Sequence, residues 1–257
     1  MVDEIYDRNI GVWTEKVQEK LKKTTVGVAG LGGAGSSLLD ILARNGIGRF
    51  KIADPDSFDI SNIQRQLNAT HKAFGKNKAA VTKERILDIN PKLHVASYEE
   101  GITLDNIDDF LDDCNFVHDA IEHYKPELKI TFHRKAREKG LIITSSFVVA
   151  GGMCTLAFHP QGMGFEEYFE YANNVENWKL KHNKIVKKDP DYIDRDFFLD
   201  RVSKGVVPTS ADGAYLTGIV VAGTYKRLIM EKEVAYAPKA IRLDILDDDM
   251  YQKAIVD

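Results

Sequence analysis

Short β-branched apolar runs alternate along the chain with longer stretches in which apolar residues recur at helical spacing. The first run, at 25–29, predicts a buried strand, and apolar residues at helical spacing begin near residue 36. Further strands are expected at 49–53, 93–96, 115–119, 141–144, 153–158 and 240–246. Helices are expected at about 78–89, 104–111, 125–139 and 208–229. Strands that alternate with helices predict an α/β fold with a mostly parallel sheet and helices on both faces.

A glycine-rich turn separates the first strand from the first long helix. Glycine lets the backbone turn tightly and approach a phosphate, and the following helix offers free N–H groups and the positive end of its dipole. Asp54 ends the next strand, where a carboxylate can accept hydrogen bonds from ribose hydroxyls. This βαβ unit predicts a Rossmann-like nucleotide-binding fold, although a dehydrogenase would use the same spacing. The turn contains Gly30, Gly32, Gly33 and Gly35.

Composition narrows the class of protein. The 257 residues suffice for one large domain, 1–257, with a helical arm at 1–24 and an inserted helical and loop cover at 162–204. A net charge of −4 gives no general argument for nucleic-acid binding. Two isolated cysteines fit a reducing cytoplasm, and we expect neither a signal peptide nor a membrane-spanning segment.

Polar residues cluster after Asp54 in an order that suits a polyphosphate. Asn62, Arg65 and Gln66 fall in one segment, and Lys78 follows at the expected start of a helix. A cation at a helix N-terminus is unfavourable for the dipole, and a bound polyphosphate would offset that cost. A solvated lysine on a first helical turn is the simpler interpretation of Lys78 taken alone.

A second pair of acids follows a later strand. Asp119 is expected at the carboxyl end of the strand at 115–119, and Glu122 comes three residues later. Ligands of open α/β sheets bind at this edge. Either acid could instead merely cap the strand end.

Together these motifs resemble the ThiF/MoeB family of adenylating enzymes, which are related to ubiquitin-activating enzymes. The likeness covers nearly the whole chain, and the Asn-x-x-Arg-Gln segment followed by a helix-borne lysine is its most specific part. The resemblance implies that Gly33 donates its N–H to the phosphates of ATP and that Asp54 holds the ribose. It also implies that Asn62, Arg65 and Lys78 bind the triphosphate, with Gln66 nearby.

The same resemblance implies a metal ion and a second subunit. Glu122 takes the place of an aspartate that is thought to bind Mg²⁺ in the family, with Asp119 as its neighbour or substitute. Arg8 matches an arginine that family members insert into the partner subunit's active site, which implies a homodimer.

Many relatives carry paired zinc cysteines and a reactive cysteine, whereas this chain has neither arrangement. We therefore expect an adenylyltransferase that activates a carboxylate with release of pyrophosphate, without a catalytic cysteine. Its substrate would be the C-terminus of a ubiquitin-like sulfur carrier or another peptide. A tRNA threonylcarbamoyladenosine dehydratase-like enzyme, which activates a carboxylate on a tRNA nucleoside, is one alternative. An NAD-dependent oxidoreductase and a non-catalytic nucleotide-binding module are alternatives of other classes.

Overall fold

The structure is a computed structural model, and it describes residues 3–121, 126–170 and 190–249. The described strands form one seven-stranded sheet in the order β3-β2-β1-β4-β5-β6-β7. The first five strands along the chain pair in parallel, while β6 pairs antiparallel with β5 and with β7. The strands are β1 (Thr25–Ala29), β2 (Arg49–Ala53), β3 (His94–Tyr98), β4 (Phe116–Asp119), β5 (Ile142–Val149), β6 (Gly152–Phe158) and β7 (Ala240–Leu243).

Helices cover both faces of this sheet, as the sequence predicts. Leu38 of α2 and Tyr225 of α8 pack with Val26 and Val28 on one face. Phe132 of α5 packs with other buried aromatic side chains on the opposite face. The helices are α1 (Glu15–Lys23), α2 (Gly33–Asn45), α3 (Lys78–Ile89), α4 (Ile107–Leu111), α5 (Pro126–Glu138), α6 (Phe165–Tyr168), α7 (Arg195–Ser203) and α8 (Ala211–Ile229), with 3₁₀ helices at Glu4–Asn9 and Ile60–Asn62.

Several element bounds differ from the prediction for local reasons. The helix expected from residue 36 begins at Gly33, so two of the glycines lie in its first turn. The helix expected from residue 208 begins at Ala211, because the backbones of Pro208 and Ser210 form hydrogen bonds with Ala150. The last strand ends at Leu243 instead of residue 246, since the side chain of Asp244 accepts a hydrogen bond from the N–H of Leu246 and so forms a turn.

The arm and the described part of the cover each contain two helices. The arm divides into a 3₁₀ helix and α1, and Tyr6 fastens it by donating a hydrogen bond to the carbonyl of Ala43. In the cover, α6 and α7 are described, while residues 171–189 lie outside the described residues. No helix in the described part of the chain is long and apolar enough to cross a membrane.

Candidate functional site

The glycine turn lies at the point of the sheet where the strand order reverses. β1 pairs with β2 on one side and with β4 on the other. From β1 the chain continues to β2 and β3 toward one edge of the sheet, and from β4 it continues to β5 toward the other edge. Gly30 has a φ of +95°, and a Cβ at this position would overlap the carbonyl oxygen of Ala120. Glycine is therefore required both for the backbone conformation and for the close approach to the end of β4.

Asp54 fixes the shape of the glycine turn from the end of β2. Its Oδ2 accepts a hydrogen bond from the N–H of Leu31 at 2.6 Å, and its Oδ1 accepts one from the N–H of Asp56 at 2.9 Å. Burial raises the pKa of Asp54, and the ammonium group of Lys78 opposes that rise. A buried carboxylate held against the turn is in place to accept further hydrogen bonds from a ligand.

The Asn-x-x-Arg-Gln segment lies directly against the glycine turn. The carbonyl oxygen of Arg65 is 3.2 Å from the position of a Cβ built on Gly33. The N–H of Leu67 donates to the hydroxyl of Ser36 in the first turn of α2. The segment and the helix N-terminus therefore form one surface.

The side chains of this segment have different surroundings. Arg65 is half-buried, and its guanidinium donates a hydrogen bond to the carbonyl of Ser61 at 3.0 Å. Gln66 lines the cavity, and its Oε1 is buried without a hydrogen-bond partner among the described residues. Asn62 takes part in a capping box with Asp59 at the neighbouring 3₁₀ helix, and so supports the local backbone.

Lys78 begins α3 with its side chain buried. Asn77 caps the helix by accepting hydrogen bonds from two backbone N–H groups, which fixes Lys78 in the first turn. The Nζ of Lys78 is 3.0 Å from Oδ2 of Asp56, a carboxylate that is 54% exposed. A buried ammonium with one half-exposed partner retains donor capacity for a ligand.

These groups surround a cavity of about 950 Å³. Asn62, Asp119 and Arg8 are not among the described residues that line it, and Glu122 lies outside the described residues. The sequence does not predict the apolar wall of this cavity or the individual residues at and just beyond the end of the cover, because these positions are scattered along the chain. Of the predicted site residues, the lining includes Gly30, Gly32, Gly33, Gly35, Asp54, Arg65, Gln66 and Lys78, and the missed residues include Ile102, Leu128, Val148, Arg201 and Val207.

Asp119 lies beneath this cavity in a fully buried network of polar side chains. Its carboxylate accepts hydrogen bonds from Lys129, His133, Ser145 and the N–H of Ile121. Burial alone would raise the pKa of Asp119, but Lys129 and His133 lower it well below its usual range. These contacts therefore favour the ionised form of Asp119. The described residues contain no group of three or more side chains suited to a metal ion.

The remaining predicted features lie away from the cavity. Arg8 belongs to the 3₁₀ helix of the arm and is exposed, so its predicted role in a partner subunit stays a prediction. Cys114 and Cys154 are free and buried. Burial raises the pKa of Cys114 to about 12 and also raises that of Cys154. Neither thiol is suited to act as a nucleophile.

Comparison with known proteins places the chain among relatives of two kinds. A stretch of 103 residues is 41% identical to the tRNA threonylcarbamoyladenosine dehydratase of Bacillus subtilis, and covers 40% of this chain and 41% of that protein. A stretch of 159 residues is 31% identical to a probable molybdopterin-synthase adenylyltransferase of Porphyra purpurea, and covers 62% of this chain and 41% of the relative. The chain thus spans about two fifths of the length of each of these relatives.

A solved structure shows the same fold over most of the chain. The crystal structure of Escherichia coli MccB with ATP has a TM-score of 0.67 and 17% sequence identity, and the match covers 94% of this chain and 71% of that one. The model of the ThiF family matches residues 6–256. The chain belongs to the ThiF family.

Proposed function

We propose that the chain is an ATP-dependent adenylyltransferase that activates a carboxylate and releases pyrophosphate. The observation that carries this proposal is the convergence of Lys78, Arg65 and the N-terminus of α2 on one cavity. Two cations and free helical N–H groups complement the charge of a polyphosphate. Bound ATP would supply the adenylyl group, so that a bond from a carboxylate oxygen to the α-phosphorus replaces the bond to pyrophosphate.

The residues of the chain supply position and charge for this reaction. Gly33, the first residue of α2, and Asp54, which follows β2, both line the cavity. The N–H of Gly33 would donate to the phosphates, and the carboxylate of Asp54 would hold the ribose. Lys78 and Arg65 would stabilise the negative charge that develops on the departing pyrophosphate. No protein nucleophile is needed, which agrees with the two buried thiols, and catalysis rests on orientation and electrostatic stabilisation.

Two components of the proposal rest on the family resemblance. Glu122 would hold Mg²⁺, which balances phosphate charge, and a homodimer would bring Arg8 to the partner's site. The cytoplasm is the proposed location, since both cysteines are free thiols.

A mixing experiment tests the dimer. Arg8→Ala and Arg65→Ala are each expected to be inactive alone, whereas random reassociation of the two variants should restore about a quarter of the sites, because one site of each mixed dimer is intact. If Arg8 acted within its own subunit, mixing would restore nothing.

Two substrate classes follow from the two kinds of relative. A peptide or protein C-terminus is the first candidate, and a carboxylate on a tRNA nucleoside is the second. The second candidate is favoured by the 41% identity of this chain to the Bacillus subtilis dehydratase over 103 residues. A net charge of −4 gives tRNA little general attraction, and for that reason we rank it second.

Exchange of labelled pyrophosphate into ATP distinguishes the two substrate classes. We expect exchange and AMP formation with one of two probes, a ubiquitin-like sulfur carrier with an intact C-terminus or threonylcarbamoylated tRNA. Arg65→Ala should abolish exchange while leaving the circular dichroism spectrum unchanged. Formation of ADP with either probe would contradict adenylation, because it would show transfer at the γ-phosphorus.

A further inference from the structure

Each oxygen of the Asp119 carboxylate accepts two hydrogen bonds from other groups of the protein. Its Oδ1 accepts from the N–H of Ile121 at 3.0 Å and from Nζ of Lys129 at 2.9 Å. Its Oδ2 accepts from Nε2 of His133 at 2.9 Å and from Oγ of Ser145 at 3.1 Å. A carboxylate has about four lone-pair sites, so each site already has a donor. A metal ion could bind Asp119 only by displacing one of them.

The ammonium of Lys129 pairs with Asp119 and with the adjacent backbone. Its Nζ donates hydrogen bonds to Oδ1 of Asp119 at 2.9 Å and to the carbonyl of Ile121 at 2.8 Å, and it lies 2.8 Å from Oδ2 of the same carboxylate. Lys129 therefore differs from Lys78, the other buried lysine discussed above, whose single carboxylate partner is half-exposed.

The charge of Asp119 already has a buried partner. The ammonium of Lys129 lies within 2.9 Å of both carboxylate oxygens. Nε2 of His133 is 2.9 Å from Oδ2, and its Nδ1 has no hydrogen-bond partner among the described residues. A divalent cation brought to Asp119 would lie beside the ammonium of Lys129 in a buried site, where repulsion is strong.

The network holds the backbone that forms one wall of the cavity. Ile121 is bound at both its N–H and its carbonyl, and Ala120 donates its N–H to the carbonyl of Ala29 at 2.7 Å. Ala120 and Ile121 both line the cavity, and the carbonyl of Ala120 lies against Gly30. A shift of this wall would therefore move the glycine turn as well.

We propose that Lys129, Asp119 and His133 form an anchor that positions the Ala120–Ile121 wall for the nucleotide, and that Asp119 does not bind the metal ion. Lys129 and His133 are positioning residues, because neither lines the cavity among the described residues. The inference rests on the proposed function only in taking ATP as the ligand of the cavity.

The test compares Lys129→Met with Lys135→Met. Lys135 lies on the same helix and pairs at 3.0 Å with Asp108, but both side chains are substantially exposed. Hydrogen exchange over residues 119–128 is measured without ligand, and the affinity for ATP is measured by calorimetry in EDTA and in Mg²⁺. Asp119→Asn is measured in the same way. Ser145→Ala, which removes only one hydrogen bond of the network, is included as a variant that should fold even if the others do not.

The anchor predicts faster exchange in this segment for Lys129→Met and unchanged exchange for Lys135→Met. It predicts that ATP affinity falls about ten- to a hundredfold both in EDTA and in Mg²⁺, because a displaced wall weakens binding whether or not metal is present. The ratio of the two affinities should stay that of the wild type in every variant, and Ser145→Ala should give a smaller change of the same kind.

Two results would overturn the anchor. One is a loss, in Asp119→Asn, of the difference between the ATP affinity in Mg²⁺ and the ATP affinity in EDTA, since only the removal of a metal ligand would abolish the effect of Mg²⁺. The other is unchanged exchange over residues 119–128 in Lys129→Met. If the wild-type chain bound no ATP, the proposed function would fail, and the exchange measurement would still decide whether the anchor exists.

Discussion

Replacing Lys78 with methionine removes an ammonium from the cavity and keeps most of the buried apolar stem. The cost to folding should be small, because the ammonium pairs with a carboxylate of Asp56 that is 54% exposed. Such pairs contribute at most about 1 kcal/mol. The cost to function should be much larger, since Lys78 is one of two predicted cations that face the proposed triphosphate.

The size of that functional loss follows from the chemistry. A preorganised donor aimed at developing charge typically contributes about 10²- to 10³-fold in rate, or roughly 3–4 kcal/mol. Lys78→Met should therefore lower the rate of pyrophosphate exchange by about that factor and weaken ATP binding in the same direction. Its free energy of unfolding in urea should stay within about 1 kcal/mol of the wild type.

Lys76→Met is the matched control. Lys76 lies two residues earlier, is exposed, and is not among the described residues that line the cavity. In calorimetric titrations, Lys76→Met should therefore bind ATP with the same affinity as the wild type. If Lys78→Met bound ATP as tightly as Lys76→Met and supported the same exchange rate, the assignment of Lys78 to the phosphates would be refuted.

Three further predictions concern groups around the sheet. Gly30→Ala should lower the free energy of unfolding by more than about 2 kcal/mol in urea, because φ is +95° and the new Cβ overlaps the carbonyl of Ala120. Burial lowers the pKa of His118 to about 4, so the folded ring stays neutral while the unfolded ring gains a proton below about pH 6.5. The free energy of unfolding should therefore fall by about 2 kcal/mol between pH 7 and pH 5 because of His118 alone. In urea titrations over this pH range, His118→Asn should remove that pH-dependent loss. An unchanged pH dependence in this variant would show that His118 is not its cause. Cys114 and Cys154 should react with iodoacetamide only after unfolding in urea, and rapid labelling of the folded chain would contradict the burial that raises their pKa values.

Local signals account for the parts of the fold that the sequence predicted well. β1 matches its predicted bounds because it is a short buried run followed at once by a glycine turn, and β2 does so because its basic and apolar residues alternate up to an acid. α3 matches at 78–89 because Asn77 caps its start and Asn90-Pro91 stops it. The sequence predicts that the glycine turn, Asp54 and Lys78 meet at one site, because each is defined by its near neighbours, and all of them line the cavity.

Long-range packing explains what the sequence did not predict. The apolar wall of the cavity joins Ile102 of a loop, Leu128 of α5 and Val148 of β5, which reach one place only through the order of the strands and the packing of α5. Lys129 resembles any lysine on a charged helix, and its burial follows from the packing of α5 on the sheet. No local pattern distinguishes it from Lys135.

Every proposal above depends on ATP binding in this cavity. Calorimetric titration of the wild-type chain with Mg·ATP and, separately, with NAD measures that binding and requires no knowledge of the carboxylate substrate. We expect that ATP binds, that NAD does not, and that Lys78→Met weakens ATP binding. Binding of NAD without binding of ATP would refute the ATP site and favour an oxidoreductase.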